Sequence, residues 1–405
     1  MRFFLSILCS VLLPLTVAAQ NQTLRVDYVF SGTDKSQEIS LDEMSSFDGW
    51  AGRRVNLDEV PVRGNGQIAM TDLETGKVLY RQSFSTLFQE WQATEEATRV
   101  RKSFENVFLL PMPSAKAAVR VELYDFRGNV SSSLTHLVDP DDILIRKVQP
   151  QPVQYRYLHK GGAVEECIDV AVVAEGYTSD ELEKFYEDAS VAMDAIFAHA
   201  PFAQCKERFN FVAVALASAD SGVSVPGEDE WKDTALKAHF NTFYMDRYLT
   251  TLRLKNMHDK LCGVPYEHIV ILANTDTYGG GGIFNSYTLT TAGHTAFRPV
   301  VVHEFGHSFA GLGDEYYYDD QFVEYYYPDC EPWEQNITTL FDFDSKWKDM
   351  MDAGQAELVE GGGYQSKGVY RGAEDCRMKT NSAECFCPVC QRAIARIIEF
   401  YTVEK

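Results

Sequence analysis

Two histidines four residues apart, with a glutamate after the first, narrow what His303-Glu304-Phe305-Gly306-His307 can be. On a helix such residues share one face, so both imidazoles can grip a single metal ion. Glu304 projects from slightly further round, where its carboxylate reaches a water beside the ion and not the ion itself. At about 100° per residue, Val301, Phe305, Phe309 and Leu312 form a stripe roughly opposite the histidines. The segment therefore reads as a helix docked on a core, with its polar edge lining a cleft. A catalytic zinc takes three protein ligands and keeps a position for water, whose pKa falls to about 7. A third ligand has to come from elsewhere.

The next residues supply candidates. In metzincins a glycine ends the helix and the third ligand stands three residues later. Gly311-Leu312-Gly313-Asp314 keeps that step, with Asp in place of His and one extra residue in the helix. A left-handed glycine would stop the helix and turn the chain back toward the ion. Asp314 is the first choice of ligand and Glu315 the second; a ligand from a further helix, as in thermolysin-like enzymes, is the third option. Cys376-Arg377-Met378-Lys379-Thr380 could place Met378 in a methionine turn beneath the metal. Tyr316, Tyr364 and Tyr370 are candidates for stabilising an oxyanion.

Residues 1–19 read as an export signal: a positive start at Arg2, an apolar core from Phe3 to Leu15, and Val17-Ala18-Ala19 as the cleavage site. No later run approaches the ~20 apolar residues of a membrane helix. The formal net charge of -22 argues against a nucleic-acid partner, which needs clustered Lys and Arg. Of the nine cysteines, Cys9 falls in the signal, leaving Cys167, Cys205, Cys262, Cys330, Cys376, Cys385, Cys387 and Cys390. An even number in an exported chain points to structural disulfides of undetermined pairing. Cys385-Phe386-Cys387-Pro388-Val389-Cys390 could instead be a second zinc site or a redox Cys-x-x-Cys, but lacks, in sequence, the second Cys/His pair or the preceding βαβ unit that each needs.

With 405 residues, two domains are expected. Thr23 to Phe30 and Val119 to Tyr124 alternate as half-buried strands, and Glu74-Thr75-Gly76-Lys77 sits like a hairpin turn. Residues 20–147 therefore read as a β-sandwich, and Gln149-Pro150-Gln151-Pro152 marks a linker over 148–154. Residues 155–405 change to alternating strands and helices. Ile168–Ala174, Phe209–Leu216 and His268–Ala273 read as strands, Thr178 and Glu181 as a capping box, and Asp233 to about Lys260 as one long helix or two. Tyr278 to Thr291 is glycine-rich, then strand-like through Ile283–Tyr287. It is either an edge that holds an extended peptide or a hairpin with a flexible turn.

Ala174-Glu175-Gly176-Tyr177-Thr178, the block from His303 to Tyr316, and Gly368-Val369-Tyr370-Arg371 leading to Cys376-Arg377-Met378 together resemble peptidase family M64. The resemblance spans most of 155–405, and the His303 block is its specific part. It implies an α+β protein: an N-terminal all-β domain before a metzincin-like α/β domain acting as a zinc-dependent endopeptidase. The cofactor would be one catalytic zinc ion, the substrate a protein or peptide, and Met378 the methionine turn. It does not imply cleavage of immunoglobulin. Two rivals stand beside it: an exported binding protein with a structural or relic zinc site, and a zinc amidohydrolase acting on a non-peptide amide.

Overall fold

A computed structural model describes residues 22–149, 153–319 and 325–404. The signal expected over 1–19 and the prolines of the linker lie outside these residues.

Eight strands build the N-terminal part: β1 (Gln22–Thr33), β2 (Ser36–Asp48), β3 (Gly66–Asp72), β4 (Val78–Phe84), β5 (Lys102–Pro111), β6 (Ala117–Tyr124), β7 (Val130–Val138) and β8 (Arg146–Lys147). They form two four-stranded sheets, ordered β5-β1-β2-β8 and β4-β3-β6-β7. All neighbours are antiparallel except β2 and β8. The alternation read in the sequence is the inward face: Leu24, Val26, Tyr28 and Phe30 are buried against Ile68, Met70, Val119 and Val121. Asp72 closes the expected hairpin by accepting the N–H groups of Glu74 and Thr75. One short helix, α1 (Leu87–Gln92), follows β4 and is capped by Thr86.

The later part is organised on a six-stranded sheet of β9 (Tyr155–Lys160), β10 (Ile168–Glu175), β11 (Phe209–Val214), β12 (His268–Ala273), β13 (Gly280–Ile283) and β14 (Tyr287–Thr291). Its order is β13-β14-β12-β10-β11-β9, parallel in the middle with an antiparallel strand at each edge. β10 and β12 are buried along their whole length, which is why they read as unbroken apolar runs. Side chains alternate between the two faces. Val170, Val172, Phe211, Val270 and Leu272 pack with the helices α2 (Leu182–Phe197), α4 (Phe297–Ala310) and α6 (Pro388–Thr402). Ala171, Val173, Val212, Ile269 and Ile271 point the other way, into an apolar cluster continuous with the sandwich core.

Two sequence expectations change here. The helix expected from Asp233 to Lys260 is confined to α3 (Leu254–Leu261). Upstream of it, the buried Glu175 carboxylate at the end of β10 takes the N–H groups of Leu236 and Ala238, both at 2.7 Å, and the Thr234 hydroxyl. Those donors are diverted from any helical ladder. Asn241 and Tyr244 then sit in the left-handed region, at φ 56° and 65°. Of Ile283–Tyr287, expected as strand, only the two ends are: Ile283 and Tyr287 pair across the β13–β14 hairpin, and Phe284, Asn285 and Ser286 form its turn.

Thr178 and Glu181 form the expected capping box ahead of α2. A small sheet of β15 (Tyr317–Tyr318), β16 (Ile337–Thr338), β17 (Val359–Gly362) and β18 (Tyr364–Arg371) covers the loop that leaves α4, and α5 (Lys348–Asp352) lies between β16 and β17. Among the described residues no helix is long and apolar enough to cross a membrane.

Candidate metal centre

Helix α4 carries Pro299 in its first turn, where no intrahelical donor is lost. Val301, Phe305, Phe309 and Leu312 are all buried, so the stripe docks and the histidines face outward. Gly311 adopts φ 61° and ends the helix; its N–H bonds to the His307 carbonyl, and that of Leu312 to the Gly306 carbonyl. The reversal brings Asp314 back beside the histidines.

His303 Nε2 and His307 Nε2 stand 3.0 Å apart. Asp314 Oδ1 lies 3.1 Å from the first and 3.2 Å from the second. The opposite edge of each ring fixes its proton. His303 Nδ1 donates to the Arg377 carbonyl at 2.9 Å and His307 Nδ1 to the Leu312 carbonyl at 2.6 Å. A carbonyl can only accept, so each Nε2 is left with a bare lone pair. Asp314 Oδ1 is buried with no hydrogen-bond donor of its own. Two lone pairs and an orphaned carboxylate oxygen thus converge on one point, an arrangement a divalent cation satisfies. The nearly equilateral triangle suits three corners of a tetrahedron, the geometry of zinc.

The charges agree. Burial works against the charged form of Asp314, yet the two imidazoles hold its carboxyl far below the usual range. His307 is pushed up to about 9: burial opposes the rise and the Asp314 carboxylate drives it. Burial raises the Glu304 carboxyl.

Tyr364 donates its hydroxyl to Asp314 Oδ2, leaving Oδ1 facing the two histidines. It sits in the left-handed region at φ 67°, a conformation that costs about 1–3 kcal/mol. Two bonds hold it there: Gly363 N–H to the Asp314 carbonyl at 2.8 Å and Tyr364 N–H to the Tyr316 carbonyl at 3.0 Å. The hydroxyl is therefore occupied in orienting the acid. Replacing Tyr364 with Phe keeps the ring and frees Asp314 to swing; metal affinity should fall about 10- to 100-fold, read by competition with a chromogenic chelator. Unchanged affinity would show that Asp314 is oriented without it.

Tyr316 stays beside the site, its ring stacked on that of His303 at 6.5 Å. Tyr370 does not join them. It lies at the far end of β18, opposite Thr338 and Glu360 and roughly 20 Å along the strand from Tyr364. Met378 is buried under α4, close enough that a Cβ on Gly306 would meet its sulfur at 2.8 Å. Glu315 turns away from the histidines, toward Cys376, Cys387 and Cys390. The disulfides expected from the cysteine count are not formed among the described residues: all eight cysteines are free thiols.

The glycines of β13 have a steric reason. A Cβ on Gly280 would lie 2.9 Å from Glu304 Oε1, and one on Gly282 would lie 2.3 Å from the Glu304 carbonyl oxygen. Bare backbone is what allows this edge strand to run against α4 beside Glu304. At Gly280 the strand makes an isolated bridge to Tyr248.

Sequence reasoning missed three neighbours. Tyr248 donates its hydroxyl to Glu90 of α1, so the N-terminal sandwich reaches this region. Burial pushes Glu90 up to about 7 against that hydrogen bond, and it feels the charges of His307, Asp314 and Glu304. Arg247 donates to the Tyr318 hydroxyl at 3.1 Å and acts on both Glu304 and Tyr316. No local pattern marks these residues, because the fold alone brings them together.

Comparison with known families gives two matches. The model described as IgA Peptidase M64 matches residues 157–359 and 354–398, more than half of the chain. The model described as Peptidase M64 N-terminus matches residues 16–135. No curated protein matches the chain.

Proposed function

The chain belongs to the M64 peptidase family, and from that membership we propose that it is an exported, zinc-dependent endopeptidase with Glu304 as its general base. The observation that carries the proposal is the convergence of His303 Nε2, His307 Nε2 and Asp314 Oδ1 within 3.0 to 3.2 Å, with Glu304 on the adjoining edge of the same helix. When bound there, zinc supplies Lewis acidity, polarising a carbonyl and making a water easier to deprotonate.

The chain's own residues do the rest. Backbone carbonyls hold both imidazoles in the tautomer that presents Nε2. Tyr364 holds Asp314. Glu304 takes the proton of the attacking water and delivers it to the departing amine; its burial, which raises its affinity for a proton, suits both halves of that task. Tyr316 is the candidate for donating a hydrogen bond to the oxyanion, since Tyr364 is committed to Asp314 and Tyr370 is remote. β13, the edge strand beside Glu304, offers an extended substrate only the main chain left open by its bridge to Tyr248 at Gly280. Met378 supports the floor beneath the histidines.

The test is a panel of unfolded and folded proteins. The expected result is endoproteolysis that a chelator abolishes and added zinc restores. Zinc-dependent release of ammonia or amine from non-peptide amides alone would redirect the proposal to an amidohydrolase. Zinc binding with no hydrolysis at all would leave a binding protein.

A further inference from the structure

Glu315, Cys376, Cys387 and Cys390 offer ligand atoms that all lie within 4.8 Å of one another, and all four residues are buried. Their exposures are 0%, 0%, 4% and 0%. Cys376 Sγ is 3.7 Å from Cys390 Sγ, and Glu315 Oε1 is 3.0 Å from Cys390 Sγ and 3.9 Å from Cys387 Sγ. Two sulfurs held about 2.3 Å from one tetrahedral ion stand about 3.8 Å apart, close to the observed spacing.

The surroundings favour anions. Cys387 is the N-cap residue of α6 and Cys390 lies in its first turn, where free N–H groups stabilise thiolates. The Cys387 N–H also points at Cys376 Sγ, at 3.1 Å. Asn336 donates to Glu315 Oε1 at 2.9 Å, while Glu315 Oε2 is buried with no partner. A carboxylate and three thiols sealed together without a cation would leave that oxygen unsatisfied.

We propose that Glu315, Cys376, Cys387 and Cys390 form a second metal site, closed and structural, that takes a thiophilic tetrahedral cation such as zinc. Four protein donors and near-zero exposure leave no room for a substrate or a reactive water. Three sulfurs select against calcium and magnesium. A redox role for Cys387-Pro388-Val389-Cys390 is disfavoured because neither thiol is open to a partner disulfide.

The site's position gives it a purpose, and that purpose alone rests on the catalytic reading. Glu315 follows the ligand Asp314, and its N–H bonds to the Met378 carbonyl at 2.9 Å. Cys376 opens the turn whose Arg377 carbonyl orients His303. An ion here would pin both stretches that shape the first centre.

The experiment is elemental analysis and zinc X-ray absorption on the full chain, purified without chelator or reductant. The expected result is two ions per chain and a zinc–sulfur shell at about 2.3 Å. Replacing His303 and His307 with Ala should remove one ion and keep the sulfur shell; Cys376→Ser with Cys390→Ser should remove the shell. Should the cysteine variant fail to fold, the unaltered protein loaded with cobalt still decides the matter, through the sulfur-to-cobalt charge-transfer band. Absence of sulfur around the metal, or a disulfide among Cys376, Cys387 and Cys390 in the intact mass of the denatured protein, overturns the proposal. A first centre that binds zinc but hydrolyses nothing would defeat the peptidase reading and leave this site standing.

Discussion

Glu304→Ala should lower kcat/KM for peptide hydrolysis by about 10²- to 10⁴-fold, the range a positioned general base supplies. Metal content should stay near that of the unaltered protein, because Glu304 is not one of the three converging donors. The pairing of those two results is the informative part. Burial raises the Glu304 carboxyl, so replacing it removes a charge that is costly to bury, and folding has no reason to suffer. Glu304→Gln separates shape from chemistry: it keeps the volume but cannot accept the water's proton, and should be nearly as inactive. A glutamine variant with full turnover would remove Glu304 from the mechanism.

Asp314→Ala should abolish activity and release the ion from the first centre. The carboxylate is the only anionic corner of the triangle, and Tyr364 holds it in place. Two histidines four apart on one helix remain, a weaker grip than three donors that include a charge. The measurement is metal per chain by elemental analysis, with the sulfur shell followed in parallel. Loss of the nitrogen- and oxygen-bound ion with retention of the sulfur-bound one is expected. Glu315→Ala should do the reverse, disturbing the sulfur-rich site first, although it was the second choice of ligand on sequence grounds. An Asp314 variant that keeps the first ion would show that another residue is the ligand.

Much of the first centre was legible because it is local. His303, Glu304, His307, the stripe from Val301 to Leu312, the stop at Gly311 and the return to Asp314 fall within one short stretch, and helical periodicity orders them. The sandwich strands were legible for the same reason, through the alternation of Leu24, Val26, Tyr28 and Phe30. Residues 233–253 were not. A helix was expected there, but Glu175, far back in the chain, captures the N–H groups of Leu236 and Ala238. Glu315 was ambiguous because adjacent acids look alike until the backbone shows which faces the histidines. The cysteines misled for a related reason: an even count invites pairing, and only the fold places a carboxylate among three of them. Glu90 and Tyr248 lie 158 positions apart and had no signal at all.

The odd-numbered side chains of β12 and the inward residues of the sandwich belong to one apolar body. A lineage carrying this arrangement cannot trade its front end as one trades a tag. Any replacement has to arrive with a surface fitted to Ile269, Ile271 and Ala171, and with something in place of Glu90 beside Tyr248. The N-terminal sandwich is thus a wall of the same body that carries the metal centre, and substitutions that leave this packing untouched are confined to the faces it turns outward.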